Sequence, residues 1–303
     1  MKDMTTLMDN IQAFLQACRA KRLSQQTLEW YEWLLSDYNV YVAQEKENLP
    51  PWDSPDTIDG FLAHLVDRGV SAYTTHAHFR ALRRFFNWLE KRHRLPNGNP
   101  IGLVEPPRLP RHYPRGIEAD DVEELLAVVD TNSLLGKRDE AIILFLWDTG
   151  VRASELCELA LDDLDMEQRR ALIRNGKGNK SRYVPFGIRV REVLEKWLEA
   201  RSSIAQCGRV FVSRWGRELT RRGLSILLRK YGEKAGVSVH NPHAFRHGFA
   251  VAYLNNGGGI HNLQLLMGHA TLRSTEKYLW STDRQAAADH AQASPGDHLR
   301  MRK

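Results

Sequence analysis

Two histidines, an arginine and a tyrosine recur in the last third of the chain in a pattern that suits phosphate chemistry. His243 and Arg246 are three residues apart, and His269 is followed nine residues later by Tyr278. Few acidic residues lie among them, which favours a phosphodiester over a metal ion as the ligand. An arginine holds nonbridging oxygens with a planar fork of N–H donors, and a tyrosine hydroxyl can attack phosphorus and carry the resulting ester.

Two motifs earlier in the chain could complete such a site. Arg152 and Glu155 are three residues apart in a helical pattern, so the carboxylate can orient the guanidinium. Lys177 lies in the Gly- and Asn-rich segment 175–181, which is typical of a β-hairpin turn. A flexible lysine side chain at such a tip can reach a substrate.

The composition is that of a soluble globular protein. The 303 residues exceed what one hydrophobic core usually supports, which predicts two domains. A formal net charge of +6 favours a polyanionic partner. The sequence contains no apolar run long enough to span a bilayer and no signal-peptide pattern. Its three widely spaced cysteines indicate a reducing compartment, so we expect a cytoplasmic protein with no membrane association.

Hydrophobic periodicity predicts a mainly α-helical fold with a small β-hairpin or three-stranded sheet. Residues 1–105 predict a bundle of four helices, in which Ser54 and Ser71 are N-caps and the fourth helix runs to Arg94. The segment 106–116 contains four prolines, which forbid a helix and predict an extended linker.

The second predicted domain covers residues 117–281. Residues 282–303 then predict a polar tail, either with a short helix that docks on a neighbouring protomer or disordered because of Pro295 and Gly296. The predicted elements of the second domain are a helix that stops at Gly150, a helix from Ala153 to Leu161, hairpin strands at 170–174 and 182–186, and a third strand at 209–212.

The fourth predicted helix is rich in basic residues interleaved with aromatic ones. A solvated basic face is the simpler interpretation, but phosphate chemistry elsewhere in the chain favours a DNA-facing helix. Two residues of the predicted hairpin, Lys180 and Arg182, could share the phosphate contacts of the hairpin, with a solvated turn as the equal alternative. The predicted DNA-binding residues are Arg80, Arg83, Arg84, Lys91, Arg92, Lys180 and Arg182.

Taken in order, the motifs around Arg152, Lys177, Arg246 and Tyr278 resemble the catalytic domain of the tyrosine recombinases, the phage integrase and Xer-type site-specific recombinases. The resemblance covers about residues 120–278, and the amino-terminal bundle resembles the core-binding domain of that family more loosely. Each motif alone has low specificity, whereas their order and spacing together are highly specific.

The resemblance implies a role for each candidate residue. Two arginines, Arg152 and Arg246, would clamp the scissile phosphate, and Tyr278 would be the nucleophile. Lys177 would protonate the leaving 5′ oxygen. The two histidines of the pattern, His243 and His269, would hydrogen-bond the phosphate and assist proton transfer, and Glu155 would support the site.

The implied reaction is a transesterification through a 3′-phosphotyrosyl intermediate. The ester retains the phosphodiester energy, so no ATP, metal or other cofactor is expected. The implied partner is double-stranded DNA with paired recombination sites, held by a two-domain clamp that is a monomer when free and a homotetramer on DNA. We expect a bacterial cytoplasmic protein associated with the nucleoid.

Other interpretations remain open on the sequence alone. A catalytically silent DNA-binding protein of the same fold would not require all the candidate residues, and a type IB topoisomerase-like enzyme would share the phosphotyrosyl step. His243 and His247 have the spacing of a zinc helix, but Ala244 follows His243 where a metalloprotease has Glu.

The sequence also departs from the family pattern. Gly248 stands where the family usually has a small hydroxyl residue, and Gly257–Gly259 make the following loop glycine-rich. Residues 279–283 do not match the ending expected of a chromosome-dimer-resolving Xer protein. These departures favour a compact recombinase of a mobile element.

Overall fold

The computed structural model describes residues 6–44, 50–110, 116–174, 181–238 and 240–268. The chain divides into two compact units, Met1–His112 and Tyr113–Lys303. The division falls within the predicted linker 106–116. None of the helices in the described residues is long and apolar enough to cross a membrane.

The first unit is a helical bundle. Side-chain hydroxyls cap three of its helices: Thr6 accepts from Asp9 N, and the predicted N-caps Ser54 and Ser71 are confirmed. Its elements are α1 (Leu7–Ala20), α2 (Gln25–Gln44), α3 (Pro55–Asp67), α4 (Ala72–Glu90) and a 3-10 turn at Pro100–Gly102.

The prediction that the fourth helix reaches Arg94 is wrong, because α4 ends at Glu90. His93 adopts a left-handed backbone conformation with φ of 54°. The amide of Arg94 then donates to the carbonyl of Leu89 at 3.1 Å, which closes the helix with a Schellman-type turn.

Aromatic side chains fill the core of this bundle. Phe14, Phe61, Phe85 and Phe86 are each no more than 1% exposed. Phe14 and Phe85 meet edge to face with ring centroids 5.6 Å apart, a geometry that contributes about 0.5–1.5 kcal/mol beyond the area it buries. The first unit therefore has its own hydrophobic core.

The second unit is also mainly helical and contains the sheet, so the predicted fold class is confirmed. Its elements are α5 (Ala119–Ala127), α6 (Leu134–Thr149), α7 (Ala153–Glu158), a 3-10 turn at Leu161–Asp163, β1 (Leu164–Asp165), β2 (Arg170–Ile173), β3 (Arg182–Pro185), α8 (Ile188–Arg201), α9 (Arg221–Ala235), α10 (Pro242–Asn255) and α11 (Ile260–Met267).

The sheet is antiparallel with the order β1-β2-β3. The strand that pairs with the hairpin β2-β3 to complete the sheet is β1, so the prediction of a strand at 209–212 is wrong. Arg209 and Val212 make only isolated bridges. Backbone carbonyls in this segment instead accept from side chains, since Trp197 Nε1 donates to Val210 O and Arg138 Nη1 to Val212 O.

Helix α6 forms the centre of the second unit. All six residues from Ala141 to Leu146 are buried, and the helix packs against α8 and α10. A helical segment that is apolar all round, as this one is, belongs inside a core. It stops at the left-handed cap Gly150, as predicted, and this end places Arg152 at the start of α7.

Helix α7 ends at Glu158 rather than at the predicted Leu161, because Leu159 turns to pair with Val210.

Candidate active site

The predicted pairing of Arg152 with Glu155 is present in the structure. Nη1 of Arg152 donates to Oε1 of Glu155 at 2.8 Å, and the Arg152 amide donates to Oε2 at 2.8 Å. The carboxylate thus caps the N-terminus of α7 and holds the guanidinium. The Arg152 side chain remains 31% exposed, so it can also meet a ligand.

Glu155 has a second cationic partner in Arg182, the first residue of β3. Nη1 and Nη2 of Arg182 donate to the two carboxylate oxygens at 3.0 and 2.9 Å. Burial alone would raise the pKa of Glu155. The hydrogen bonds and charge of Arg182, followed by those of Arg152, lower this pKa from 4.5 to about 2. Glu155 is therefore ionised at neutral pH and fixes two guanidiniums.

Arg246 lies on α10 and is only 4% exposed. Its Nη1 donates to Gly150 O at 2.7 Å, and its Nη2 donates to Met267 O at 2.6 Å. The side chain therefore links the end of α6 to the end of α11. A buried charge is tolerated when its donors have such partners.

Three arginines contact three consecutive carbonyls at the end of α11. Besides Arg246 on Met267, Arg182 Nε donates to Leu266 O at 2.6 Å and Arg152 Nη2 to Gly268 O at 3.4 Å. The last carbonyls of a helix lack intrahelical partners and carry partial negative charge, so guanidiniums are favourable there. We call this group of contacts the arginine clasp. It fixes the position of the chain immediately before His269.

His243 is exposed on the first turn of α10, one helical turn before Arg246. Asn241 caps this helix by accepting from the amides of His243 and Ala244. The spacing of three places His243 and Arg246 on neighbouring positions of one face. The structure thus brings together Arg152, Glu155 and Arg246, and His243 lies one helical turn before Arg246 on α10. Four predicted site residues, Lys177, Lys180, His269 and Tyr278, lie outside the described residues.

Comparison with known proteins identifies the family. The sequence model of the phage integrase family matches residues 115–285, and that of the phage integrase N-terminal SAM-like domain matches residues 11–93. Tyrosine recombinase XerC of Anoxybacillus flavithermus is 33% identical over 85% of this chain and 88% of its own length. The chain belongs to the phage integrase family. It is a site-specific tyrosine recombinase, an enzyme that cleaves and rejoins DNA, and the resemblance seen in the sequence is confirmed.

A further relative and two solved structures are also similar to this chain. XerC of Azotobacter vinelandii is 34% identical over 94% of this chain and 96% of its own length. The structure of XerH recombinase bound to a palindromic difH substrate has a TM-score of 0.73 at 19% identity, covering 97% of this chain and 85% of that one. The Tn1549 transposon integrase in complex with circular intermediate DNA has a TM-score of 0.75 at 20% identity, covering 94% and 99%. At these identities the structural likeness concerns the fold.

One departure from the recombinase pattern has a packing explanation. A Cβ added at Gly248 would lie 2.2 Å from the carbonyl oxygen of Ile117 and 2.8 Å from Trp147 Cζ3. The amide of Ile117 donates to Ala244 O at 3.2 Å, so the segment before α5 lies directly on α10. A residue with a side chain would push this segment away from the helix that carries Arg246.

In the first unit, the predicted DNA-binding residues of α4 form an exposed stripe. Residues spaced by three and four lie on one side of a helix. Arg92 lies beyond the helix end, with its guanidinium 5.9 Å from the ring centroid of Trp88. The exposed side chains of the stripe are Arg80, Arg83, Arg84, Asn87, the acidic Glu90 at the end of the helix, and the C-cap residue Lys91.

The sequence interpretation did not anticipate that Arg182 contacts Glu155. A signal was present in the strand pattern, because Arg182 and Val184 share one face of β3 and Val184 is buried. An arginine on the core-facing side of a strand needs an acidic or carbonyl partner.

Among the described residues there is no cluster of three or more His, Cys, Asp or Glu that could hold a metal ion.

Proposed function

We propose that this recombinase exchanges DNA strands through a 3′-phosphotyrosyl ester on Tyr278, with Arg152 and Arg246 as the clamp on the scissile phosphate. One observation carries this proposal. Two guanidiniums, one at the start of α7 and one on α10, converge on the end of α11, and each is held by hydrogen bonds to the protein. Such convergence suits a ligand with several anionic oxygens.

The arrangement favours the transition state. Attack of the Tyr278 oxygen on phosphorus gives a pentacoordinate phosphorane with more negative charge than the diester. Donors that are already oriented stabilise this charge without reorganising, and a single such donor contributes about 2.7–4 kcal/mol in other enzymes. The fixed guanidiniums of Arg152 and Arg246 meet this requirement, and the exposed His243 would add a further donor.

The proposed chemistry balances without an external energy source. The bond between phosphorus and O5′ breaks as the bond to the Tyr278 oxygen forms, and Lys177 supplies the proton to the departing O5′. His269 assists proton transfer from the tyrosine. Attack by a 5′-hydroxyl of the partner strand reverses these steps and releases the tyrosine.

The proposed partner is a DNA duplex enclosed by two domains, residues 1–105 and 117–281, joined by the linker 106–116. The exposed basic stripe on α4 supports phosphate contact by the first domain. The XerH and Tn1549 integrase structures are DNA complexes of those proteins, which is consistent with this partner. We propose that Lys180 of the hairpin adds a phosphate contact.

For the biological role we propose a compact recombinase of a bacterial mobile element, acting on the nucleoid in the cytoplasm. The residues after Tyr278, Leu279 to Asp283, differ from the ending expected of a chromosome-dimer-resolving protein. The glycine at position 248, together with its close contact to Ile117, is a second difference from the usual pattern.

The Tyr278→Phe variant tests the chemistry. On a nicked suicide substrate it should bind DNA and form no covalent adduct, because only the attacking oxygen is removed. Tyr183→Phe is the matched control, since Tyr183 is 53% exposed on β3 and loses the same atom. A denaturing gel that still shows the adduct with Tyr278→Phe would assign the nucleophile to another residue.

We propose that the active assembly is a homotetramer on two paired sites, with the tail 282–303 docking on the adjacent protomer. Deletion from Asp283 onward should then leave binding to a single half-site intact while weakening synapsis and unbalancing strand cleavage. Native gels on paired sites measure this. Undiminished tetramer formation and recombination by the truncated protein would refute the docking role of the tail.

A further inference from the structure

Arg182 follows directly after the segment that carries Lys177 and is paired in the sheet with Ile173. Its side chain is 13% exposed. Each of its three guanidinium nitrogens donates to the protein: Nη1 and Nη2 to the Glu155 carboxylate and Nε to Leu266 O. The two terminal nitrogens of an arginine can donate side by side to the two oxygens of a carboxylate in this geometry. A lysine ammonium cannot form this paired contact.

The same side chain packs against the end of α11. A Cβ added at Gly268 would lie 3.0 Å from Nη1 of Arg182 and 3.1 Å from its Cζ. Gly268 has a φ of +61° and forms the left-handed C-cap of α11. The guanidinium therefore fills the space that a side chain at this cap would take, and it lies against the residue that precedes His269.

We propose that Arg182 is a positioning residue that ties the β-hairpin to both Glu155 and the end of α11. Through Glu155 it orients Arg152, and through Leu266 it sets where the chain departs toward His269 and Tyr278. This inference rests on the proposed function for the roles of Arg152 and Tyr278. In this role Arg182 contacts other residues of the protein and not a DNA phosphate.

The contacts explain why a single side chain has this effect. If Arg182 were replaced, Arg152 would be the remaining partner of Glu155 within the described residues, and Leu266 O would lose the donor at 2.6 Å. The Arg152 contact to Gly268 O is the longest of the clasp at 3.4 Å, so it depends most on the placement of its neighbours. Small displacements of groups that hold a reacting phosphate can lower the rate by about 100-fold.

Arg182→Lys tests the proposal, because it keeps the charge and removes the fork. We expect single-turnover cleavage of a suicide substrate to fall by about 10- to 100-fold, with half-site affinity and its salt dependence unchanged. As the pH is lowered, cleavage by Arg182→Lys should also begin to slow at a higher pH than cleavage by the wild type. The reason is that Glu155 is easier to protonate without the guanidinium fork. Arg182→Gln should show the same pattern.

Arg170→Lys is the matched control. Arg170 lies in the same sheet, pairs with Asp165 and stacks over Tyr183, and it makes no contact with Glu155 among the described interactions. This variant should cleave like the wild type. If Arg182→Lys also cleaves like the wild type, the positioning role is refuted. If Arg182→Gln, which removes the charge, lowers the slope of log K against log salt by about 0.9 with no loss of cleavage rate, Arg182 is a phosphate contact instead.

Hydrogen exchange of the DNA-free protein separates this inference from the proposed chemistry. The amides of residues 260–268 should exchange faster in Arg182→Lys than in Arg170→Lys, because α11 loses part of its C-terminal support. If the wild type forms no adduct that depends on Tyr278, the proposed function fails while this exchange difference still supports the link. Equal exchange in the two variants would refute the link to α11.

Discussion

Nη2 of Arg246 donates a hydrogen bond to the carbonyl oxygen of Met267, 2.6 Å away. Met267 is the last residue of α11, so the guanidinium that we propose as a phosphate clamp also supports the end of this helix. A second hydrogen bond, from Nη1 of Arg246 to Gly150 O, reaches the end of the central helix α6. One buried side chain therefore connects the end of α6 to the end of α11, and the proposed phosphate clamp is part of that connection.

Glu155→Gln should change the acid stability of the protein. The pKa of Glu155 is lowered in the folded state from 4.5 to about 2, so its charge stabilises the fold fully above about pH 4.5. That stabilisation is lost as the pH falls toward 2, and this shift corresponds to a loss on the order of 3 kcal/mol. The gap in Tm between wild type and Glu155→Gln should therefore narrow as the pH falls from 5 to 3.

Glu158→Gln provides the control for this experiment. Glu158 is exposed at the end of the same helix, α7. Its variant should follow the wild-type curve of Tm against pH. Parallel curves for the wild type and Glu155→Gln would contradict the proposed charge pairing. Cleavage by Glu155→Gln should also be slower at neutral pH, because Arg152 and Arg182 lose their shared anion.

Gly268→Ala and Gly236→Ala form a matched pair. Both glycines are left-handed C-caps, with φ of +61° and +75°, so an alanine costs about 1–2 kcal/mol at either position. A Cβ at Gly236 meets nothing within 4 Å, whereas one at Gly268 meets Arg182 at 3.0 Å. Gly268→Ala should lose more stability in urea unfolding than Gly236→Ala, because its Cβ also displaces Arg182, and only Gly268→Ala should lose cleavage activity. Equal activity of the two variants would argue against the arginine clasp.

The features that the sequence predicts correctly depend on neighbouring residues. The caps at Ser54 and Ser71, the stop at Gly150 and the Arg152–Glu155 pair all join positions within four of one another. Local backbone geometry determines these contacts, so residue types and spacing are sufficient to predict them.

The features that sequence reasoning misses join distant positions. Arg182 meets Glu155 across 27 positions and Leu266 across 84. The segment 209–212 has the composition of a strand, yet its carbonyls pair with the side chains of Arg138 and Trp197. A single sequence does not reveal which distant donor meets a given carbonyl, because that depends on the packing of α6, α8 and α11.

Lys177→Ala should slow cleavage of a normal phosphodiester by about 10²- to 10⁴-fold, because O5′ then departs without a proton donor. A substrate with a 5′-phosphorothiolate at the scissile position has a sulfur that leaves without protonation, so it should largely restore the rate. Single-turnover adduct formation on both substrates measures the difference. Absence of rescue would indicate that Lys177 positions the hairpin rather than donating the proton.

Arg83→Gln tests the basic stripe on α4. Arg83 is exposed, with its guanidinium 5.8 Å from the ring centroid of Phe79. If it contacts a phosphate, its loss should lower the slope of log K against log salt by about 0.9 and weaken binding to all sequences alike. Arg68→Gln removes an exposed charge of the same unit that is paired with Asp37 on α2, so it serves as the control. Half-site binding titrations at several salt concentrations give both slopes. An unchanged slope for Arg83→Gln, equal to that of Arg68→Gln, would leave the stripe as a solvated helix face.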